Sequence, residues 1–253
     1  MTKRKIALVT GGSRGLGRDM AINIAKKDID VVITYHSNKE AANEVIAEVA
    51  KTGSKAFALQ LDTRDVSSFG SFYSELENLL ESEYGDKYFD YLVNNAGTGI
   101  YKSFAETTEA DFDEMMNIHF KGVYFLTQKA LTFLNDGGGI INISSGLARF
   151  TLPGSSAYAS MKGAIETFTK YLAKELGPRG IRANVVAPGA VATDFGGGTN
   201  RDDEKKRALI SNFTALGRVG EAEDIGSVVA FLCTHDAHWV TAQRIEASGG
   251  TLI

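Results

Sequence analysis

An α/β fold built on one doubly wound, mostly parallel sheet follows from three features of the 253-residue chain. Short apolar runs alternate with longer amphipathic ones from end to end, the pattern of repeated strand–helix units. Runs such as Lys5–Thr10 and Gly139–Ser144 are apolar on both faces, as strands inside a parallel sheet must be. A glycine-rich turn, Gly11-Gly12-Ser13-Arg14-Gly15-Leu16-Gly17, joins the first run to the first amphipathic stretch. Three prolines leave little material for a linker, and no repeat or low-complexity tract interrupts the chain, so residues 1–253 are expected to form a single domain.

Strands are expected at Lys5–Thr10, Val31–Tyr35, Ala56–Leu61, Tyr91–Asn94, Gly139–Ser144, Arg182–Ala187 and Arg244–Ala247. After the first strand, the glycines let the backbone approach an anion while the following helix, patterned through Met20, Ile24 and Ala25, offers free N–H groups. A nucleotide phosphate is the expected occupant, with Arg14 either a solvent-facing loop residue or a phosphate contact. The second strand runs into His36-Ser37-Asn38 without the carboxylate that would hold a ribose 2′-hydroxyl. That absence removes the repulsion a 2′-phosphate would meet, and His36, Ser37 and Asn38 add donors. Asp62 ends the third strand. A long approach, Glu83–Phe89, precedes the fourth.

A long helix is expected over Glu109–Leu134 and a second over Ala157–Leu176. Between them the fifth strand ends in Ser144-Ser145, where a hydroxyl caps the next turn or binds a substrate oxygen. The second long helix carries Tyr158 and Lys162, four residues apart and so on one face, with Cβ atoms about 5–6 Å apart. A free phenol has a pKa of about 10, and a cation held beside it moves that value toward the working range of an acid–base catalyst. Beyond the sixth strand, Asp194 to Phe213 combines three glycines with the mixed-sign run Arg201–Arg207. It is expected to be a loop or lid at about 194–213. Cys233, the sole cysteine, falls at the end of an apolar helix and is expected to be a packed core thiol.

Composition narrows the function. A net charge of −4 and a pI near 5.7 do not make a nucleic-acid footprint, and no metal-ligand pattern is read. No apolar run approaches the roughly 20 residues that span a membrane. Met1 leads almost directly into the first strand, which leaves no room for a signal peptide, so a cytoplasmic protein is expected.

In order along the chain stand Thr10–Gly17, Asn94-Asn95-Ala96-Gly97, Asn117 in Met-Asn-Ile-His, Ser145, Tyr158-x-x-x-Lys162 and Pro188-Gly189-Ala190-Val191-Ala192-Thr193. In these motifs, which cover nearly all of its length, the chain resembles the classical short-chain dehydrogenase/reductases, nearest in look to 3-oxoacyl-carrier-protein reductases. The thirteen-residue step from Ser145 to Tyr158 fits that pattern and selects Ser145 over Ser144. The resemblance implies a Rossmann-type sheet of seven strands ordered 3-2-1-4-5-6-7 with helices on both faces. It implies an NADP(H)-dependent oxidoreductase that interconverts a carbonyl and a secondary alcohol. Tyr158 would be the general acid/base, Ser145 would hold the reacting oxygen, and Lys162 would lower the phenol's pKa and grip the ribose. Asn117 would anchor a water that relays protons to Lys162. His119, two residues further on, is placed elsewhere on the helix and given no catalytic role.

For the cofactor the resemblance implies Gly11, Ser13, Arg14, Gly15, Leu16 and Gly17 at the phosphates and His36 and Ser37 near the 2′ position. Asp62 would lie at the adenine, Asn94, Ala96 and Gly97 at its ribose, and Pro188, Gly189, Val191 and Thr193 at the nicotinamide. Leu147, Phe150, Leu152 and Phe195 would line an apolar substrate pocket, with Arg149 facing either an acidic group or solvent. A carrier protein would dock on basic residues; the chain keeps Arg179 but has Asn135-Asp136 at the other place, which counts against that partner. A homotetramer is implied, with Ile165, Phe168 and Leu172 meeting Phe120, Tyr124 and Leu131 across a dyad. A sugar or polyol dehydrogenase shares every motif. A nucleotide-sensing regulator would have no need of the intact catalytic set.

Overall fold

The computed structural model describes residues 4–253, so the reading of the first three residues lies outside it. The strands are β1 (Ile6–Val9), β2 (Asp30–Tyr35), β3 (Ala56–Gln60), β4 (Phe89–Asn94), β5 (Leu134–Ile143), β6 (Arg182–Pro188) and β7 (Arg244–Ala247). They form one sheet in the order β3-β2-β1-β4-β5-β6-β7, with every neighbouring pair parallel. The order expected from the resemblance is the order found. Each predicted strand is present, with ends moved by a few residues. β5 starts earlier because Leu134 pairs with Phe89 before a register shift re-aligns Gly139 with Tyr91.

The helices are α1 (Gly15–Ala25), α2 (Lys39–Ala50), α3 (Phe69–Tyr84), α4 (Glu109–Met116), α5 (Gly122–Ala130), α6 (Ser156–Leu176), α7 (Thr199–Asp202), α8 (Glu204–Phe213) and α9 (Ala222–Leu232). Period-two alternation divides each central strand between two apolar layers. On one face Ala7, Val9, Val31 and Ile33 pack with Met20, Ile24, Val45, Ile225 and Val229 of α1, α2 and α9. On the other, Ile6, Leu8, Leu92 and Ile140 meet Phe69, Leu76, Leu126 and Leu172 of α3, α5 and α6. Cys233 is buried in the first layer, where burial pushes its thiol up to about 12, as a packed core thiol should be.

The helix expected over Glu109–Leu134 is two helices joined by a π turn over Asn117–Lys121, in which the Gly122 N–H reaches back to the Asn117 carbonyl. The extra residue in that turn rotates everything beyond it relative to a regular helix. Gly122 allows the helix to press on the strand-end loop; a Cβ there would lie 2.0 Å from the Thr63 carbonyl oxygen. Before β2, Asp28 takes the left-handed conformation at φ 59°, unusual for a residue other than glycine.

The strand order reverses at β1, which pairs with β2 on one side and β4 on the other. Loops from the two halves of such a sheet diverge there and leave a crevice beyond the carboxyl ends of the strands. No helix among the described residues is long and apolar enough to cross a membrane.

Candidate active site

One cleft of about 1020 Å³ occupies that crevice, lined by loops following β1 to β6. At one end the glycine turn forms the floor. Gly12 N–H donates to the Thr34 carbonyl at 2.8 Å, and the Asn95 amide donates to the carbonyls of Thr10 and Gly11 at 2.9 and 3.2 Å. Gly17 lets α1 start against the turn: a Cβ there would stand 2.1 Å from the Gly11 carbonyl oxygen. Gly15, at φ 52°, leaves open the space between the turn and Thr193, 3.6 Å from where its Cβ would be. The α1 amino end, uncapped by any side chain, faces this space, which makes the floor a natural cradle for phosphate oxygens.

Arg14, His36 and Arg64 line the outer part of the cleft, and the Arg14 side chain has no hydrogen bond or ion pair among the described residues. Arg64 was not singled out in the sequence. It closes on Asp62 through Nε and Nη2 at 2.9 and 2.7 Å and reaches Glu114 at 3.1 Å. Its guanidinium holds the Asp62 carboxyl below the usual range. Asn38, read as a donor to a phosphate, instead caps α2 by accepting from Ala41 N–H at 2.9 Å, and Ser37 does not line the cleft.

The other end holds the chemistry. Ser145 follows β5, whose end is fixed by a half-buried ionic group: Ser144 Oγ and Arg244 Nε each donate to Glu166 at 2.7 Å, and Arg244 Nη2 donates to the Ser145 carbonyl at 3.3 Å. Tyr158 and Lys162 share the inner face of α6. The Lys162 Nζ lies 5.5 Å from the Tyr158 ring centroid and donates to the Ile143 carbonyl at 2.7 Å. Tyr101, His119 and Phe195 surround the phenol ring at centroid distances of 6.3, 5.0 and 5.9 Å.

Electrostatically the pair departs from the reading in which the lysine lowers the phenol's pKa. Both groups are buried, and burial penalises both charged forms: the phenol is pushed above its ordinary value, and the ammonium is pushed down to about 7. The Ser145 hydroxyl favours the phenolate, but desolvation outweighs it. Polar groups brought into the cleft beside Lys162 would reduce that penalty and restore the charge that steadies a phenolate.

Other expectations need correction. Asn94 does not line the cleft; its amide donates inward to Asn142 Oδ1 at 2.8 Å and Thr127 Oγ1 at 3.0 Å, extending a buried polar chain that Asn142 carries on to Thr169. Alternation along β4 turns residue 94 inward, and Asn95, Ala96 and Gly97 line the cleft instead. Asn117 also lies off the cleft, and His119 lines it. His119, set aside because a regular helix would turn it elsewhere, stands inside the π turn. Arg149 faces away from the pocket and pairs with Glu246 at 2.8 Å. Ile165 and Leu172 are buried in the monomer, which leaves the stacked rings of Tyr124 and Phe168, with Phe120 beside them, as the face available to a partner.

A family profile described as enoyl-(acyl carrier protein) reductase matches residues 11–251. A hydroxynaphthalene reductase-like protein of Metarhizium majus is 36% identical over 98% of this chain and 95% of its own. The structure of a short-chain dehydrogenase/reductase from Serratia marcescens covers 100% of both chains at 31% identity and a TM-score of 0.90. The chain belongs to the short-chain dehydrogenase/reductase family. It is an oxidoreductase of the class that acts on alcohols and carbonyls. The structure of the landomycin C-6 ketoreductase LanV with bound NADP and rabelomycin covers 98% of this chain and 96% of its own, with 38% identity and a TM-score of 0.89.

In this short-chain dehydrogenase/reductase, Gly11, Ser13, Arg14, Gly15, Leu16, Gly17, His36, Asp62, Ala96, Gly97, Pro188, Gly189, Val191 and Thr193 all border the one cleft, with Ser145, Tyr158 and Lys162. So do Leu147, Phe150, Leu152 and Phe195. Phe213, at the end of the expected lid, joins them, as does Tyr101, which was not marked in the sequence because nothing in the local pattern ties a loop tyrosine to a site far along the chain.

Proposed function

We propose that the protein is an NADP(H)-dependent ketoreductase that converts a ketone on a bulky, largely apolar skeleton into a secondary alcohol. The observation that carries this reading is the placement of Ser145, Tyr158 and Lys162 at one end of a single cleft whose other end is a glycine phosphate cradle. The space before Gly15, the uncapped α1 end and the unpaired Arg14 fit a dinucleotide carrying a 2′-phosphate. When bound, that cofactor supplies the hydride. Tyr158 donates its proton to the carbonyl oxygen, Ser145 hydrogen-bonds the same oxygen, and Lys162 steadies the phenolate left behind. Burial keeps the phenol protonated and so ready to donate.

Tyr101, Phe150, Leu152, Phe195 and Phe213 make the substrate end broad and aromatic. That lining, together with likeness to reductases of hydroxynaphthalene and angucycline type, favours a fused-ring ketone over a thioester. Carrier docking has little support, because Arg179 is engaged by Asp136 at 2.7 Å and by the carbonyls of Leu131 and Leu134. Residues 194–213 bring Asp194, Phe195, Asn200, Lys206, Ile210 and Phe213 over this end and serve as its lid. A homotetramer completes the proposal, built in part on the Tyr124–Phe168 face, and sedimentation at four chain masses is its measurement.

The deciding experiment compares kcat/KM for a bicyclic aromatic ketone, acetoacetyl-CoA and a carrier-linked 3-oxoacyl thioester with NADPH, and for sugars with NADP+. The ring ketone should lead. Preferential oxidation of a sugar would replace this reading with the polyol dehydrogenase alternative. Arg14→Ala should raise KM for NADPH about 10- to 100-fold while changing KM for NADH little, the loss of one charge-assisted hydrogen bond. Equal effects on both cofactors would remove Arg14 from the 2′-phosphate.

A further inference from the structure

Next to the catalytic serine stands a group of charges that the mechanism has not used. The side chains of Arg244, Glu166 and Glu246 are only 21%, 19% and 16% exposed, and none of the three lines the cleft. The Arg244 guanidinium is engaged in three directions. Its Nε donates to Glu166 Oε1 at 2.7 Å, its Nη1 to Glu246 Oε2 at 3.0 Å, and its Nη2 to the Ser145 carbonyl at 3.3 Å. Glu166 Oε1 also accepts from Ser144 Oγ at 2.7 Å. Arg149 meets the same Glu246 oxygen at 2.8 Å, so two guanidiniums balance two carboxylates.

These bonds fall on either side of the reactive hydroxyl. Ser145 is extended, at φ −158° and ψ 151°, and its Oγ accepts from the Leu147 N–H at 3.2 Å as the cap of the next turn. With a lone pair engaged there, the hydroxyl hydrogen is left to reach the phenol or a substrate oxygen. Where it points follows from the Ser145 backbone, which Glu166 holds through Ser144 and Arg244 holds through the carbonyl. Glu166 lies one helical turn beyond Lys162 on α6, so the same carboxylate ties the serine to the helix carrying the other two catalytic groups. A planar fork meets three acceptors in fixed directions; a lysine ammonium on a flexible stem does not.

We propose, resting on the ketoreductase reading, that Arg244 is a positioning residue for ketone reduction, holding the Ser145 hydroxyl in register with Tyr158 through the Ser145 carbonyl and Glu166. Arg244 does not line the cleft and moves no proton. It limits the backbone rotations that would carry the serine hydroxyl away from the reacting oxygen, an orientation effect whose loss is felt in turnover. A cross-link that only stabilised β7 against α6 would lower the melting temperature, and its effect on catalysis would not depend on Ser145.

The test compares Arg244→Lys, Ser145→Ala and the double variant, each in the full chain. Arg244→Lys should lower kcat for NADPH-driven ketone reduction about 10- to 100-fold, the scale on which small misplacements act, with KM for NADPH little changed. In the Ser145→Ala background the same substitution should cost less than about twofold, because the group it positions is already gone. The combined change Arg244→Met, Glu166→Gln and Glu246→Gln removes all three charges together and guards against a single variant that folds poorly. Its kcat should fall by at least as much. The carbon-13 resonance of the Ser145 carbonyl should shift between the wild-type protein and Arg244→Lys, a readout that needs no substrate. A wild-type kcat in Arg244→Lys, an equal loss with and without Ser145, or an unmoved carbonyl resonance would overturn the inference. If the wild-type protein reduces no carbonyl compound at all, the ketoreductase reading fails instead, whatever the resonance does.

Discussion

Tyr158→Phe should lower kcat for ketone reduction by about 10²–10⁴-fold, the contribution typical of a positioned proton donor. The substitution removes one oxygen and leaves the ring among Tyr101, His119 and Phe195, so packing is kept. The hydroxyl is buried, and its removal also relieves desolvation, so the melting temperature should hold or rise slightly. NADPH affinity should stay within a few-fold, because the phosphate cradle lies at the other end of the cleft. Stopped turnover with intact NADPH binding, read by fluorescence titration, is the expected pairing. Near-native turnover would end the mechanism whatever the fold.

Gly17→Ala should act at the opposite end, on cofactor binding rather than on turnover. Its Cβ would fall 2.1 Å from the Gly11 carbonyl oxygen and 2.5 Å from Asn95 Nδ2. One neighbour is backbone, and the other is the amide that braces the turn through Thr10 and Gly11, so neither can yield without opening the cradle. Overpacking of this kind costs about 1–3 kcal/mol, and for a chain of this size each kcal/mol lowers the melting temperature by about 2–4 °C. The dissociation constant for NADPH should rise at least about tenfold, as lost charge-assisted hydrogen bonds to phosphate would require. Gly70→Ala is the control: it lies in α3 with nothing within 4 Å of the added carbon. It should be neutral or gain about 0.5–1 kcal/mol from helix propensity. Native NADPH affinity in Gly17→Ala would remove the glycine turn from cofactor binding.

Some misplacements share a cause. Asn117 was assigned from the resemblance and His119 set aside by regular helical spacing, yet both stand in a π turn, where that spacing does not hold. A stretch of alternating polar and apolar residues does not announce that its backbone bonds will reach one residue further. Asn38 looked like a donor to a ligand and is a helix cap, because the same side chain serves either role and the distinction is geometric. Ile165 and Leu172 looked like an interface because they are apolar on a helix; which apolar stripe meets the sheet is set by how α6 lies on it.

The alternation of strands and helices, the glycine turn after β1 and the shared face of Tyr158 and Lys162 were legible in the sequence by itself, whereas strand order came from the resemblance. Buried parallel strands, positive-φ turns and an i, i+4 pair are local patterns, and local patterns leave local signatures. The protonation bias of the Tyr158–Lys162 pair, the grip of Arg64 on Asp62 and the arrival of His119 beside the phenol were decided only in three dimensions. Each depends on how much water is excluded and on which residues from distant segments share the space, and neither quantity exists until the chain is folded.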